Sequence, residues 1–437
     1  MLDKTIVERM DACIDKAREI LHADTSNVSK RIFPQSIVNV VVSEAHFTFE
    51  ITDLALALFK EGYRGTYLDL AADINTLLDN KHGYVQAGAP GFMGLFGRDS
   101  LITSWQLLDY NPMIARNTLI ELARLQGERV DRKTGEQPGK ILHEYYPEDS
   151  TDKSWFQKYK SKIEWLEIDK PVYFSIDSTL LFIIVYNMYV EKTHDVSLQK
   201  KLKKNIERAS DWISKYGSYE KDYHHFIGYE WDSKQPGLHN QSWKDSDEYS
   251  IKDPVFPVEV QGYAYASMSN KMPKEMFKKD FFSEFYMKEE KYFAFALDGD
   301  LKQVKEITSN PGHLLFTGIL DEGSRLLVKE KLFSKELWTP YGIRTLSTES
   351  ENFDPCSYHS GSVWPWDNWV IAQGLKKYGY DKEYMMIKEA LFRAYDELGI
   401  LPEYYGVIND KIVRLPAQYP QAWSSGALLN FLMEEKK

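Results

Sequence analysis

Two kinds of hydrophobic block alternate along this chain. In the first kind the apolar residues run almost without a polar face. Leu101-Ile102, Leu180 to Val185, Tyr263 to Ala266, Leu314-Leu315-Phe316, Trp369 to Ala372 and Gly426 to Leu429 are of this kind. Each follows a short motif rich in Trp, Asp, Asn and Gly: Phe96-Gly97-Arg98-Asp99-Ser100, Phe174-Ser175-Ile176-Asp177-Ser178, Glu259-Val260-Gln261-Gly262, Ser309 to His313, Ser362 to Asn368, and Tyr419 to Trp423. A helix that is apolar all round has to be buried. The motifs sit where the N-terminal ends of such helices fall. Six ends of this composition, aimed at one place, form a polar and aromatic pocket of the kind that receives a sugar.

In the second kind, apolar positions recur at three- and four-residue spacing between charges. Ile387, Leu391, Ala394 and Leu398 make one such stripe, with Gly399 as its C-cap. Ile114, Leu119, Leu122 and Leu125 make another, after the start signal Asn111-Pro112. Val196 to Tyr216, Glu322 to Leu332 and Asp381 to Leu398 are likewise amphipathic. Inner apolar helices alternating with outer amphipathic ones predict an all-α protein, an (α/α)6 barrel. An irregular bundle or a solenoid would be the other arrangements, and no fixed-period repeat supports the solenoid. Strand-like pieces are few. They are Ser36 to Val42 and a hairpin pairing Val407-Ile408 with Ile412-Val413 around Asn409-Asp410. The first 90 residues or so are the least legible, and no linker stands out, so one domain over 1–437 is expected.

Composition narrows the function. The 437 residues are 43% hydrophobic, with a net charge of -11. An acidic chain is a poor partner for nucleic acid. The basic run Lys200 to Lys204 reads as a solvated helix face. Met1 to Ile20 is an amphipathic pattern rather than a secretory signal, and no stretch is apolar enough to span a membrane, so a cytoplasmic protein is expected. Cys13 and Cys356 form no metal or disulfide pattern, and the ten His show no metal spacing. There is no phosphate loop, zinc-protease motif or serine elbow. No metal and no cofactor is implied. Asp298-Gly299-Asp300 reads as a turn.

Candidate chemistry lies in loops. Gly237 to Glu248 has neither helical nor strand period and is dense in acids. Within it, Asp245 stands near Trp243, and a carboxyl packed against an indole is desolvated and able to donate a proton near neutrality. The opposing reading is a set of solvated loop carboxylates. Glu403 follows the Gly399 cap, is stiffened by Pro402 and is flanked by Tyr404 and Tyr405. It suits a base that holds a water, or else is a surface turn glutamate. Asp99 is either a helix cap or, with Arg98, a grip on vicinal sugar hydroxyls. Trp364, Trp366 and Trp423 either stack on pyranose faces or pack the core. Glu144 and Glu259 are further acidic candidates. Gln241 and Asp367, in the same motifs, are candidate ligands for sugar hydroxyls.

Taken in order, Tyr84 to Phe92, Phe96 to Ser100, Glu136 to Glu144, Gly237 to Ser246, Val258 to Tyr263, Ser309 to Leu315, Gly361 to Asn368, Leu401-Pro402-Glu403 and Pro420 to Trp423 resemble the catalytic region of amylo-α-1,6-glucosidase (glycogen-debranching-type) proteins. The wider relatives include mannosylglycerate hydrolase and processing α-glucosidase. The resemblance spans roughly residues 45 to 430. It implies an (α/α)6 barrel and an inverting, exo-acting α-glycosidase acting on a small saccharide or glucan. It further implies Asp245 as general acid, Glu403 as general base, and Arg98 and Asp99 as groups that hold the terminal sugar. Gly91 stands where the family usually has Trp, and Trp366 where it usually has His. The long N-terminal β-domain of the debranching-type relatives is not expected here, which favours a small glycoside such as an α-glucoside or a glycosylglycerate. Two other functions fit the same barrel. A sugar epimerase would need paired His in the pocket, and a non-catalytic carbohydrate-binding protein would lack one of the two carboxylates.

Overall fold

A helix with no polar face needs neighbours on every side, and a closed ring of such helices inside a second ring supplies them. The computed structural model describes residues 66–434, apart from 110, 150, 161–162, 164, 222–223, 235–236 and 269–273. The amphipathic pattern at 1–20, the strand-like piece at 36–42 and Cys13 lie outside the described residues. Six inner helices form the ring: α2 (Gly97–Gln106), α5 (Asp177–Thr193), α7 (Val258–Ser267), α9 (Leu314–Thr317), α11 (Pro365–Lys377) and α13 (Ala422–Glu434). Each packs on the next, and α13 packs back on α2, which closes the circle.

Between them along the chain run the outer helices: α1 (Thr66–Leu77), α3 (Pro112–Arg124), α6 (Val196–Trp212), α8 (Lys274–Phe285), α10 (Glu322–Leu332) and α12 (Asp381–Leu398). The outer α3 packs against α2 and α5, α12 against α11 and α13, and α1 against α13. A further short helix, α4 (Lys153–Lys160), lies in the connection before α5. This is the (α/α)6 barrel expected from the alternation of blocks.

Burial follows the two patterns. In α5 every residue from Asp177 to Val185 is buried, as its unbroken apolar run requires. In α6 Leu198, Leu202 and Ala209 are buried, while Lys200, Lys201, Lys203 and Lys204 face solvent. Each apolar side chain so covered contributes about 1.5–3 kcal/mol of transfer free energy. Three of the outer helices, α3, α6 and α10, are capped by a side chain at the N-cap, whereas α12 is not. Asn111 accepts from the Met113 N–H at 3.2 Å, Asp195 from Leu198 at 3.0 Å and Asp321 from Ser324 at 2.8 Å. Gly399 ends α12 in the left-handed region, at φ 70°.

One inner helix departs from expectation. The block Leu314-Leu315-Phe316 forms only a single α turn, led by a 3-10 turn at Asn310–His313 and stopped by Gly318 at φ 86°. Among the described residues the strands are two to four residues long and confined to connections. The hairpin of 406–408 with 411–413 is present, with Asn409 and Asp410 both at positive φ, as a tight type I′ turn requires. Asp298-Gly299-Asp300 is a turn, closed by the Asp300 N–H on Asp298 Oδ1 at 2.8 Å.

Inner helices approach closely where one presents a glycine. A methyl group on Gly374 of α11 would lie 2.5 Å from Leu315 Cβ and 2.8 Å from the Phe316 nitrogen, both fixed by α9. Gly374→Ala should therefore destabilise the fold by about 1–3 kcal/mol, despite the better helix propensity of alanine. Gly323→Ala, in the outer α10, meets only Asp321 Oδ1 at 3.8 Å and should stabilise instead. Chemical denaturation of the two variants checks the pair, and equal shifts would contradict the close packing of α9 on α11.

Candidate active site

The inner helices begin differently from the outer ones. The N-caps of α2, α5, α7, α9 and α11 make no side-chain capping bond. Their first turns instead carry Asp99, Asp177, Glu259 and Asp367 in α2, α5, α7 and α11. A carboxylate is favoured there by the free N–H groups and the helix dipole. These acids meet partners from neighbouring helices. Arg98 Nε lies 3.0 Å from Asp177 Oδ2, Asn310 Nδ2 donates to Glu259 Oε2 at 3.0 Å, and His313 Nε2 is 2.7 Å from Asp367 Oδ1. Tyr263 Oη reaches His313 Nδ1 at 2.6 Å. From the sixth helix, Trp423 stacks on Trp366 of α11 at 4.7 Å. All six N-terminal ends thus converge on one buried polar layer.

Above this layer lies a cavity of about 240 Å³. Asp245, Glu403, Arg98, Asp99, Trp243, Trp364 and Trp423 all line it, with Phe92, Phe96, His143, Glu144, Tyr358 and His359. Trp243 forms part of its wall, stacked 6.0 Å from His313 and edge-on to Trp366 at 5.2 Å.

The two loops that carry Asp245 and Glu403 are tied together. Asn240 Nδ2 donates to the carbonyls of Ser246 (2.7 Å) and Tyr249 (3.0 Å), and the buried Lys244 Nζ donates to Thr345 O at 2.7 Å. Glu248 accepts from the N–H groups of Tyr358 (2.9 Å) and His359 (2.8 Å) and from the Ser360 hydroxyl (2.8 Å). Tyr358 in turn donates its hydroxyl to Glu403 Oε1 at 2.8 Å. Glu403 is fixed further by its own N–H on Gln418 O at 3.0 Å. One chain of bonds therefore runs from the Asp245 loop through Glu248 and Tyr358 to Glu403.

Electrostatics in the cavity are set by four carboxyls and one cation. Arg98 is buried between Asp177 and Asp245, with its Nη1 and Nη2 at 3.2 and 3.4 Å from Asp245 Oδ2. Burial raises Asp245 to about 6, against the pull of Arg98. Burial likewise raises Asp99 to about 7, again opposed by Arg98, and raises Glu144 and Glu403 each to about 8. Hydrogen bonds from Tyr146 to Glu144 and from Tyr358 to Glu403 limit these two shifts. His143 is pushed down to about 3 by burial, with Arg98 and Lys140 adding to it, and His359 also falls well below the usual range because it is buried.

Several expectations need correction. Gln241 does not line this cavity; its amide faces a separate one, with long bonds of 3.4 Å to Glu230 O and Leu238 O. Glu259 and Asp367 lie in the polar layer beneath, fully buried and bound to Asn310 and His313, so they support the floor without reaching a ligand. Trp366 is also beneath, behind Trp423. Asp99 does not cap α2: it is the third residue of the helix, and the cap position is Phe96. Asp245, expected to be the more desolvated carboxyl, is 26% exposed at the side chain, whereas Glu403 is 2% exposed and the more strongly raised. Arg98 explains the inversion, because it offsets the burial of Asp245 and has no counterpart beside Glu403 among the described residues. Tyr358 was missed, and His359 was weighed only as one of the few motif histidines an epimerase would need. Their signal was the polar run before Ser362, which carries no periodicity. Among the described residues no cluster of His, Cys, Asp and Glu is arranged to hold a metal ion, and no helix is long and apolar enough to cross a membrane.

A ring of helix N-termini under a carboxyl-lined, aromatic cavity is the architecture of an (α/α)6 barrel with its candidate site at one end. Residues 278–412 match the family model of the mannosylglycerate hydrolase MGH1-like glycoside hydrolase domain. The matched segment contains Tyr358, Trp364 and Glu403 but not Arg98 or Asp245. The fold is similar to the GH63 mannosylglycerate hydrolase from Thermus thermophilus in complex with glucose, at 14% identity and TM-score 0.62 over 84% of this chain and 100% of that one. The same enzyme in complex with Tris and D-glycerate matches at 12% identity and TM-score 0.62, over 85% and 100%. A further structure, a single-substitution variant described simply as a glycosidase, matches at 12% identity and TM-score 0.55, over 85% and 95%. No curated protein matches the chain.

A raised carboxyl makes a prediction about stability. Glu403 moves from an ordinary 4.5 to about 8 on folding. The folded protein therefore holds this proton more tightly than the unfolded chain does. The stability tied to the neutral carboxyl is complete below pH about 4.5 and is lost as pH rises through about 8. Glu403→Gln removes that loss. Its melting temperature should exceed the parent's by on the order of 1–3 °C at pH 9, and the difference should vanish near pH 4. Thermal melts across this range check the sign.

Proposed function

We propose that the chain is an inverting, exo-acting α-glycosidase that removes one terminal glucosyl unit from a small α-glucoside, with Asp245 as general acid and Glu403 as general base. The observation that carries this reading is that two carboxyls from separate, mutually braced loops face one aromatic cavity. At about 240 Å³ the cavity is below the roughly 300–1,000 Å³ of sites for drug-sized ligands, which fits a single pyranose better than a length of glucan. Complexes of the Thermus enzyme with glucose and with D-glycerate make a glycosylglycerate a substrate to include beside simple α-glucosides.

In the proposed reaction Asp245 gives its proton to the glycosidic oxygen as the bond to the anomeric carbon breaks. Glu403 takes a proton from a water whose oxygen attacks that carbon from the opposite face. The products are the free alcohol and a sugar of inverted configuration. Room for this water requires the two carboxyl groups to stand ~6.5–9.5 Å apart, against ~5–5.5 Å for a retaining pair. Arg98 favours the first step, because it lies 3.2 Å from the carboxylate that Asp245 becomes. Trp423 and Trp364 offer faces to the ring, and Asp99 and Glu144 offer acceptors to its hydroxyls.

An epimerase reading gains one observation, because His143 and His359 both line the cavity. Both are held far below the ordinary histidine range, so neither is basic enough to take a proton from carbon at neutral pH. Hydrolysis through the carboxyls is therefore favoured.

The productive enzyme has Asp245 protonated and Glu403 ionised, the less populated arrangement when Asp245 titrates near 6 and Glu403 near 8. kcat/KM should be bell-shaped, with limbs near 6 and 8 that belong to the pair rather than to either residue. Asp245→Asn and Glu403→Gln should each lose ~10²–10⁴-fold in turnover on unactivated α-glucosides. An aryl glycoside with a good leaving group should rescue the first variant but not the second. Proton NMR of the first-formed product should show β-glucose. Initial α-glucose, or near-normal rates in Glu403→Gln, would refute the assignment.

A further inference from the structure

A second cavity, of about 530 Å³, opens beside the first. A layer of rings divides them: Phe174 lines the second cavity, Trp165 the first, and the two rings meet edge to face at 6.2 Å. Aromatic residues from the end of α6 and the segments after it wall the new cavity, among them Trp212, Tyr216, Tyr219, Tyr229 and Trp231.

Lys140 is the anomaly in this cavity. The residue is 6% exposed, and its Nζ has a single long contact among the described residues, with Gly135 O at 3.4 Å. The amine also sits 5.8 Å from the Trp212 ring. Gly135 and Trp212 both wall the cavity, so the amine stands at its edge. Two of the acids that share the cavity are committed elsewhere. Glu136 accepts from the N–H groups of Glu128 and Arg129 and pairs with the Arg129 guanidinium, and Asp232 pairs with Arg132. Burial pushes Lys140 down to about 7, with no carboxylate opposing it. A buried ammonium with no carboxylate partner is costly, and an anion brought to it regains that cost. The Trp231 indole N–H is also buried without a protein acceptor among the described residues.

We propose that this cavity binds a saccharide carrying one carboxylate, a uronic or aldonic acid, with the carboxylate on Lys140 and the sugar face against the aromatic wall. One buried cation suits a monoanion. A phosphate dianion would meet the same single buried cation, with the exposed Arg132 and Lys234 at the rim set against the carboxylates of Asp131, Glu230 and Asp232. The partly exposed rings of Tyr216, Tyr219 and Trp231 suit the apolar faces of a pyranose. Lys140 belongs to the lining of this cavity and not to that of the catalytic one, so the site is distinct. It holds whether or not the protein hydrolyses glycosides.

Calorimetry at pH 7 with D-glucuronate, D-glucose and inorganic phosphate tests this. The parent protein should bind glucuronate more tightly than either of the others. Lys140→Met keeps the length and removes the charge, and should weaken glucuronate at least ~tenfold while leaving glucose unchanged. Glu403→Gln should bind glucuronate as the parent does. Trp231→Leu, which keeps Lys140 but removes part of the wall, should also weaken it, and serves if Lys140→Met does not fold. Equal binding of glucuronate by the parent and Lys140→Met would overturn the proposal. So would loss of binding in Glu403→Gln, tighter binding of phosphate, or no binding of glucuronate at millimolar concentration.

Discussion

The site depends on one buried guanidinium. Arg98 enters from the second residue of α2 and lies between Asp177, at the start of α5, and Asp245 on a loop. It thereby joins two inner helices and a loop through a single charge. It also stands next to a cavity that four carboxyls line. Without that charge Asp245 would share the fate of Glu403 and Glu144, which burial raises to about 8. Asp245 would then hold its proton at neutral pH but have nothing to stabilise the carboxylate left after giving it up. The arginine sets Asp245 apart, and the asymmetry between the two proposed catalytic groups follows from its position.

That arginine can be buried because of how the inner helices begin. Three outer helices, α3, α6 and α10, satisfy a first-turn N–H with an Asn or Asp at the N-cap. The N-caps of the inner α2, α7 and α11 do not, so these ends need polar company from elsewhere. The ring supplies it mutually: an acid in one first turn meets an arginine, asparagine or histidine from a neighbouring helix or turn. A barrel that closes this way has a polar floor by construction. The loops above inherit a surface that is fixed, charged and shielded from water, a setting in which electrostatic effects on a reacting group are strongest. The rigidity extends upward through Asn240, Lys244 and Glu248, which hold the Asp245 loop against segments carrying Thr345 and Tyr358. A cluster of raised carboxyls works against stability, and that many fixed bonds are needed to keep it from opening to solvent.

Most of the ring was legible because period and burial are the same fact in a helix. The run Leu180 to Val185 had to be inside, and the spacing of Ile387, Leu391 and Ala394 had to face one way. The proposed catalytic pair was legible through the order of motifs rather than through any single residue. What escaped the sequence was depth. Glu259, Asp367 and Trp366 stand in motifs as polar and aromatic as those of Asp99 and Trp423, yet they lie one layer lower. Position along the helix start does not separate the two groups, because Asp99 and Asp367 are each the third residue of their helix and Trp366 and Trp423 each the second. Tyr358 escaped for the opposite reason. With His359 it sits in an irregular loop held by Glu248, and long-range hydrogen bonds leave no period in a sequence. The ordering of the two carboxyls escaped because it rests on Arg98, which was read as a sugar ligand rather than as the partner of Asp245.

The departures from the debranching-type pattern take on a different weight once depth is known. Trp366, at a position usually held by His, is packed between His313 and Trp423 and is fully buried. It acts on the cavity through the two lining indoles it touches, Trp423 and Trp243. Gly91, at a position usually held by Trp, is next to Phe92, which does line the cavity. Its N–H donates to Gln418 Oε1 at 2.7 Å, and a methyl group there would lie 2.6 Å from Gln418 Nε2. Gln418 belongs to the segment whose backbone holds Glu403. An indole at 91 would have to turn that amide aside, while the bond that holds Glu403 runs to the backbone carbonyl of Gln418 and not to its side chain. The glycine therefore leaves room beside Phe92 at the cavity rim, and the departure at 91 acts on the space open to a ligand before it acts on Glu403.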